Sequence, residues 1–258
     1  MDGTSDAGVF GARRASFGAY AATYDAVRPE WPTATVAWML GSPTPATVCR
    51  VVDLGAGTGL GTRAIAAMGH DVLAVEPSDG MRHALTESLE ALPEPIAGRI
   101  STLSGGAEDI PVAAASVDAV TVFQAWHWFD EPVAAGECAR VLLPGGWLSM
   151  AWHQRSEELA WLRELSVIVE HHENVHESQP APGLGPDFER PERTVFTYRM
   201  RQSVEDLVRH ASTWSYVAIH DDRDRILDDV RALGQQVADG EGMVEIPMNT
   251  LCYRLRRR

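Results

Sequence analysis

A glycine-rich segment follows an apolar stretch near residue 50, and its residue types suit it to binding a ligand. It reads Asp53-Leu-Gly-Ala-Gly-Thr-Gly59. Glycine adopts backbone angles forbidden to residues with a Cβ, and it lets a ligand approach the main chain closely. The segment therefore predicts a nucleotide-like ligand. Its spacing departs from the dinucleotide fingerprint, because Leu60 or Thr62 stands where the third glycine is required.

Two acidic residues near this segment indicate the charge of the ligand. A pyrophosphate would face the carboxylate of Asp53, whereas S-adenosylmethionine carries a sulfonium, an ammonium and no phosphate. Glu76 closes the next apolar stretch, where a carboxylate can accept hydrogen bonds from both hydroxyls of a ribose. Charge and spacing together favour S-adenosylmethionine over NAD.

Apolar, β-branched stretches alternate with helical patterns, and these elements must position the acids and the glycines. Strands are predicted at residues 48–54, 71–76, 100–103, 117–123, 146–152, 194–201 and 243–256. Helices are predicted at residues 33–40, 62–68, 81–92, 132–142, 157 to about 176, 204–211 and 223–237. The alternation predicts an α/β, Rossmann-like, seven-stranded and mostly parallel sheet, with helices on both faces and an inserted cap after the fifth strand. Ligands of such sheets bind at the carboxyl ends of the strands.

Several segments resemble, in order and spacing, the motifs of class I S-adenosylmethionine-dependent methyltransferases of the type 11 domain. They are 51–62, Ala74-Val-Glu-Pro-Ser-Asp-Gly-Met81, Gly106-Ala-Glu-Asp-Ile-Pro111, Val117-Asp-Ala-Val120 and Leu143-Pro-Gly-Gly-Trp147. Gln124-Ala-Trp-His-Trp-Phe-Asp130 and residues 17–29 resemble a small-molecule branch that includes trans-aconitate methyltransferase-like enzymes. The likeness covers nearly the whole chain.

This resemblance implies which residues hold the cofactor, S-adenosylmethionine. The glycine loop would line its methionine part, Glu76 would hold the ribose, and Met81 would pack on the adenine. Arg28 would pair with the cofactor carboxylate. The implied cofactor-binding residues are Tyr24, Arg28, Asp53, Gly55, Ala56, Gly57, Glu76, Pro77, Met81, Ala107, Glu108, Gln124 and Ala125.

The resemblance also implies a single methyltransferase domain over residues 1–258. Residues 1–45 would form helices that cover the cofactor, and residues 46–153 the core that binds it. Residues 154–187 would form the cap helix and loop, and residues 188–258 the strands and helices that complete the sheet.

The predicted reaction is in-line methyl transfer to a small-molecule acceptor, with O-methylation of a carboxylate or hydroxyl favoured. Because a sulfonium is already an activated donor, the main requirement is to align the acceptor in a dry cavity. A hydroxyl would profit from a base, and His127 is the candidate because it follows the fourth strand. Its alternative is a packed ring between two tryptophans. Further candidates for contact with the acceptor are Trp126, Trp128, His153 and Trp161.

Other functions remain open alternatives. His172-Glu-Asn-Val-His176 matches the HExxH motif of zinc hydrolases, although Pro180 and Pro182 would break the helix soon afterwards. A protein that binds S-adenosylmethionine without transferring the methyl group would carry the same cofactor motifs. An NAD-dependent oxidoreductase is disfavoured by the spacing and charge of the glycine loop.

Composition excludes several function classes. The formal charge of −14 opposes binding to nucleic acid or to anionic membrane surfaces. All 22 basic residues are arginine, so chemistry that needs a lysine, such as a Schiff base or a phosphate-binding P-loop, is excluded. Three widely spaced cysteines and no apolar leader predict a cytoplasmic protein without a disulfide framework or a resident metal. The oligomeric state is not predicted.

Overall fold

The computed structural model describes residues 25, 27–41, 47–169 and 184–258. The helices are α1 (Thr33–Met39), α2 (Leu60–Ala67), α3 (Asp79–Glu90), α4 (Glu94–Ala97), α5 (Glu131–Val141), α6 (Ala160–Ile168), α7 (Val204–Ser212), α8 (Ser215–Ala218) and α9 (Arg223–Val237), with a 3-10 turn at Trp126–Trp128. The strands are β1 (Arg50–Leu54), β2 (Asp71–Val75), β3 (Ile100–Leu103), β4 (Val117–Phe123), β5 (Leu142–Arg155), β6 (Glu192–Ser203) and β7 (Met243–Arg256).

All seven strands form one sheet in the order β3-β2-β1-β4-β5-β7-β6. The pairs β3-β2, β2-β1, β1-β4 and β4-β5 are parallel. The order reverses at β1 and β4, and ligands of open α/β sheets bind at the carboxyl ends of the strands beside such a reversal. The strand order and the parallel pairs confirm the predicted fold class. The glycine loop lies directly after β1, at the carboxyl ends of the strands, where a ligand is expected.

Helices cover both faces of the parallel part of the sheet, since successive residues of its strands are buried against different helices. Val51 packs in the apolar cluster that contains residues of α1 and α2, whereas Val52 packs in the cluster that contains residues of α5. Ala119 and Val120 of β4 alternate in the same way. The two-sided burial explains why these strands are nearly continuous runs of apolar residues.

The chain divides into two compact units. The first, called the core unit, comprises Glu30–His153, Pro180–Phe196 and Thr250–Arg258. The second unit comprises Met1–Pro29, Gln154–Gln179 and Thr197–Asn249, and it has its own apolar cluster from α6, α7, α9 and β7. The single domain predicted from the sequence stays a prediction.

Two predicted elements differ from the structure. The helix predicted from residue 157 to about 176 differs from the structure, in which α6 begins at Ala160 and ends at Ile168; residues 170–176 of the prediction lie outside the described residues. The strand predicted at 146–152 is the middle of β5, which starts at Leu142 immediately after α5. The register against β4 shifts between Leu142 and Trp147, so the Pro-Gly-Gly stretch forms an irregularity within the strand.

None of the helices in the described ranges is long and apolar enough to span a membrane.

Candidate functional site

The glycine loop is tied to the end of the neighbouring strand β2. The backbone N–H groups of Gly55 and Ala56 both donate to the carbonyl of Val75, at 2.9 and 3.1 Å. Gly55, Gly57 and Gly59 all have left-handed backbone angles, with φ of 71°, 57° and 89°. Only glycine adopts this conformation without a steric penalty, which explains the residue type at each position.

The three glycines differ in what lies beside them. A Cβ on Gly55 would come within 2.9 Å of the Ala125 methyl, and one on Gly59 would come within 2.9 Å of Leu85. A Cβ on Gly57 would meet no described atom within 4 Å. Gly55 and Gly59 therefore serve packing, whereas the Cα of Gly57 faces space that none of the described residues fills.

The carboxylate of Glu76 lies at the base of this open side. One oxygen accepts the backbone N–H of Gly57 at 3.0 Å, and the other accepts that of Ser78 at 2.9 Å. Ser78 is also the N-cap of α3, where its hydroxyl accepts the N–H of Met81. Glu76 is only 8% exposed. Two backbone donors thus fix the orientation of an acid that the sequence analysis assigned to a ribose.

Asp53 is buried beneath the loop, with 1% of its surface exposed. Its carboxylate accepts hydrogen bonds from the hydroxyls of Thr62 at 2.6 Å and Thr121 at 3.4 Å. Burial raises the pKa of Asp53 to about 7, although the two hydroxyl hydrogen bonds lower it, and the charge of Glu76 raises it further. Any effect of Asp53 on a ligand is therefore exerted through the loop rather than by direct contact.

A third segment, residues 105–112, follows β3. Gly106 and Asp109 form an isolated antiparallel bridge, which leaves Ala107 and Glu108 between them. Ala107 is buried, and one oxygen of Glu108 accepts the backbone N–H of Asp130 at 3.0 Å. Met81, the predicted adenine contact, is buried in the first turns of α3. Pro77 is exposed between Glu76 and the cap of that helix.

Gln124 has a left-handed backbone with φ of 57°, which is uncommon for a residue other than glycine. Its side-chain amide donates to the carbonyl of His153 at 3.1 Å. The imidazole of His153 stacks on Trp31 at 3.7 Å between ring centres, and its Nδ1 lies 2.9 Å from the Thr250 hydroxyl. Backbone strain at a strand end concentrates at functional sites, so this arrangement marks the ends of β4 and β5 as candidates.

His127 is held by a neighbouring tryptophan. The indole N–H of Trp152 donates to its Nδ1 at 3.4 Å, a long hydrogen bond, and its ring packs at a tilt on Trp128. Because Nδ1 accepts here, a neutral imidazole in this arrangement carries its proton on Nε2 and can only donate from that nitrogen. Trp126 is buried edge-to-face on Phe129, and within the described ranges its indole N–H has no hydrogen-bond partner.

Other predicted residues belong to the second unit or lie outside the described residues. In the second unit, Arg28 donates to the carbonyl of Thr213 at 3.2 Å, and Trp161 packs partly buried against that unit's apolar cluster. Tyr24 and the HExxH residues His172, Glu173 and His176 lie outside the described residues. Within the described ranges, no group of three potential metal ligands is clustered.

Several residues of the site were missed in the sequence analysis. Thr62, Thr121 and Trp152 donate hydrogen bonds to predicted site residues that lie in other elements. Nothing in the local sequence identifies these three residues as donors to the site. Ser78 carries a usable signal, because a serine before an acidic first turn is a typical N-cap. Glu137 and Arg140 are also readable as an i,i+3 pair on a helix, although their contact with residues 105–112 is not.

Comparisons with known proteins agree with this geometry. Residues 52–150 match the model of a family described as a methyltransferase domain. An uncharacterized methyltransferase of Mycobacterium tuberculosis is 37% identical over 243 residues, covering 93% of this chain and 94% of the relative. One of Schizosaccharomyces pombe is 29% identical and covers 76% of this chain and 77% of the relative. A solved structure described as a type II methyltransferase of Anaeromyxobacter dehalogenans shares the fold, with a TM-score of 0.61 and 22% identity over 90% of this chain and 97% of that one.

Proposed function

Since this chain belongs to the methyltransferase family, we propose that it transfers a methyl group from S-adenosylmethionine to a small-molecule acceptor. The observation that carries the proposal is the pairing of Glu76 with Gly57. A carboxylate oriented by two backbone N–H groups lies beside the one glycine of the loop that presents open backbone. Hydrogen bonds from carboxylate to ribose hydroxyls suit this acid, and the bare backbone of Gly57 permits close approach of a ligand.

The residues around the loop fit that cofactor. When bound, S-adenosylmethionine supplies a methyl group activated by its sulfonium. Gly55, Ala56 and Gly57 would line the methionine part, and Glu76 with Pro77 would hold the ribose. Met81, Ala107 and Glu108 would hold the adenine, and Gln124 and Ala125 would close the pocket after β4. Above its pKa of about 7, where it gives up its proton, Asp53 would add a negative charge beneath the loop, which favours a cationic ligand over a pyrophosphate.

Arg28 and Tyr24 are proposed to cover the cofactor, as the family resemblance implies. Within the second unit Arg28 donates to the carbonyl of Thr213, and its pairing with the cofactor carboxylate stays a prediction from the resemblance. Trp161 stays a proposed acceptor contact on the same grounds of resemblance and sequence position.

The acceptor is proposed to meet the segment after β4. Trp126, Trp128 and His127 would form its wall, and the rigid link between Gln124 and His153 would hold the ends of β4 and β5 in place. Dry aromatic surroundings favour alignment of an acceptor with the donor by excluding water. The indole N–H of Trp126 is a buried donor that an acceptor oxygen could satisfy.

A carboxylate acceptor fits the arrangement of His127 better than a hydroxyl does. A carboxylate attacks without losing a proton, whereas a hydroxyl profits from a base. In the neutral form whose Nδ1 accepts from Trp152, the proton is on Nε2, and such an N–H can donate to a carboxylate but cannot take a proton from a hydroxyl. To act as a base on a hydroxyl, it would first have to exchange its tautomer or leave Trp152.

Calorimetry of the purified protein tests the cofactor. We expect S-adenosylhomocysteine to bind and NAD not to bind; the reverse would overturn the proposal. A panel of small carboxylic acids and phenols, assayed with S-adenosylmethionine for formation of S-adenosylhomocysteine, tests the transfer. Binding of S-adenosylhomocysteine without turnover on any acid or phenol would favour a protein that binds the cofactor without catalysis.

A further inference from the structure

An ion pair on α5 holds the backbone of residues 105–112. The carboxylate of Glu137 accepts the backbone N–H of Ile110 at 2.8 Å. The guanidinium of Arg140 donates to the carbonyls of Ile110 at 2.7 Å and Val112 at 2.8 Å. Three backbone groups of one short segment are therefore bound by two side chains of a neighbouring helix.

The two side chains also hold each other. The Arg140 Nε donates to one oxygen of Glu137 at 2.7 Å, and its Nη2 donates to the other at 2.6 Å. Hydrogen bonds from Arg140, with help from the Ile110 N–H, hold the pKa of Glu137 below its usual range despite partial burial. A planar guanidinium that meets both carboxylate oxygens is fixed in direction as well as in distance. This geometry makes the pair a rigid support rather than a loose surface contact.

The supported segment is closed by tight packing. A Cβ on Gly105 would lie 2.5 Å from the ring of Pro111, so only glycine fits there. Ile110 is buried in the core, and Glu108 accepts the N–H of Asp130, which caps α5. The segment is thus attached near both ends of α5, and Ala107 and Glu108 lie between the two attachments.

We propose that Glu137 and Arg140 are positioning residues that set the selectivity of the site for adenine. This inference rests on the proposed function, in which Ala107 and Glu108 meet the polar edge of the base. Recognition of the 6-amino group depends on hydrogen-bond geometry, which is lost with displacements of a fraction of an ångström. The ion pair acts without touching the ligand, by holding the backbone that carries those two residues.

The test compares two ligands in three proteins. The ligands are S-adenosylhomocysteine and S-inosylhomocysteine, in which oxygen replaces the 6-amino group. The proteins are the wild type, Arg140→Gln and Arg231→Gln. Arg231 pairs with Asp228 at i,i+3 on α9 and with Glu205 on α7, so its variant likewise removes an arginine with an i,i+3 acid and a contact to a second segment, far along the chain from residues 105–112. Calorimetry gives both dissociation constants for each protein.

We expect the wild type to prefer S-adenosylhomocysteine. In Arg140→Gln the affinity for S-adenosylhomocysteine falls roughly 10-fold, because hydrogen bonds that position the segment are lost. The affinity for S-inosylhomocysteine changes less, so the preference falls. Arg231→Gln keeps both affinities. The KM for S-adenosylmethionine rises in Arg140→Gln, whereas kcat at saturation is retained.

An equal loss for both ligands in Arg140→Gln, or no loss for either, would overturn the inference. If Arg140→Gln does not fold, as judged by circular dichroism, Glu137→Gln gives the decision. It keeps the size of the side chain but removes its charge and turns one of its two acceptor oxygens into an NH2 donor, and we expect the same fall in preference. If the wild type binds neither ligand, the proposed function fails, whereas an unchanged preference in a variant that binds overturns only the role of the ion pair.

Discussion

The backbone N–H of Gly57 donates to the carboxylate of Glu76 at 3.0 Å, and this hydrogen bond joins the loop after β1 to the end of β2. It links two residues 19 positions apart, and it places an oriented acid beside open backbone. The same acid receives the N–H of Ser78 at the start of α3. The end of β2 is therefore the point at which the loop, the acid and the next helix are held together.

Glu76 should account for much of the affinity for the cofactor. We expect Glu76→Ala to weaken binding of S-adenosylhomocysteine by on the order of 10- to 100-fold, because hydrogen bonds to a charged group are lost. Asp71→Ala, at the exposed start of the same strand, is the control and should bind as the wild type does. Calorimetry decides the point. Equal affinities for the wild type and Glu76→Ala would remove Glu76 from the ribose site.

Gly57 and Gly69 form a matched pair for testing the open side of the loop. Both have positive φ, and a Cβ on either would meet no described atom within 4 Å. Each change to alanine should cost about 1–2 kcal/mol of unfolding free energy from backbone strain alone. Only Gly57→Ala should also abolish binding of S-adenosylhomocysteine, because its methyl would occupy the space that the ligand needs.

Thermal unfolding with and without S-adenosylhomocysteine separates the two effects. Both variants should lose similar stability without ligand, and only Gly69→Ala should regain stability when ligand is added. Full ligand stabilisation of Gly57→Ala would show that the cofactor does not approach this glycine.

Asp53 should make the ligand-free protein less stable as the pH rises. Its pKa is raised to about 7 in the folded state, well above the value near 4 expected of an unfolded chain. Below about pH 4 the carboxyl is protonated in both states and imposes no cost. Between about pH 4 and 7 only the unfolded chain gives up the proton, so stability falls by at most about 1.4 kcal/mol per pH unit. Above pH 7 the effect levels off.

Asp53→Asn should remove this pH dependence. The melting temperature of the variant relative to the wild type should rise from pH 4 to 7 and then stay constant. Thr62→Val removes the 2.6 Å hydrogen bond that lowers the pKa of Asp53, so the decline should extend to higher pH. A constant difference between Asp53→Asn and the wild type across this range would contradict the raised pKa.

The effect of replacing His127 on turnover should depend on the acceptor. With a carboxylate acceptor we expect His127→Ala to keep most of the turnover, since no proton has to be removed. With a hydroxyl acceptor the loss of a base should lower kcat roughly 100-fold. His83→Ala, on the exposed side of α3, is the control histidine variant. A 100-fold loss on a carboxylate, with unchanged affinity for S-adenosylhomocysteine, would contradict the expectation that a carboxylate acceptor needs no base.

The sequence alone was sufficient for the fold class of the sheet and for the position of the glycine loop after β1. Buried parallel strands are apolar runs, so β3, β4 and β7 were predicted with the bounds that the structure shows. The helix after β5 was predicted to begin at residue 157, whereas α6 begins at Ala160 and ends at Ile168; the end predicted near residue 176 lies outside the described residues. Helical periodicity shows which face of a helix is apolar, but it does not by itself determine at which residues the helix begins and ends.

Residues whose type is required by the local backbone geometry could be recognised in the sequence, because that geometry depends on neighbouring residues. The glycines with positive φ and the acid that closes β2 belong to this class. Other contacts were decided only by the tertiary structure: Thr121 on Asp53, Trp152 on His127, and Arg140 on residues 105–112. Each joins segments between 25 and 68 residues apart. Such partners come together only when the strands pair and α5 packs on the sheet. A sequence shows which side chains can donate or accept a hydrogen bond, but it does not show where those side chains point in the folded protein.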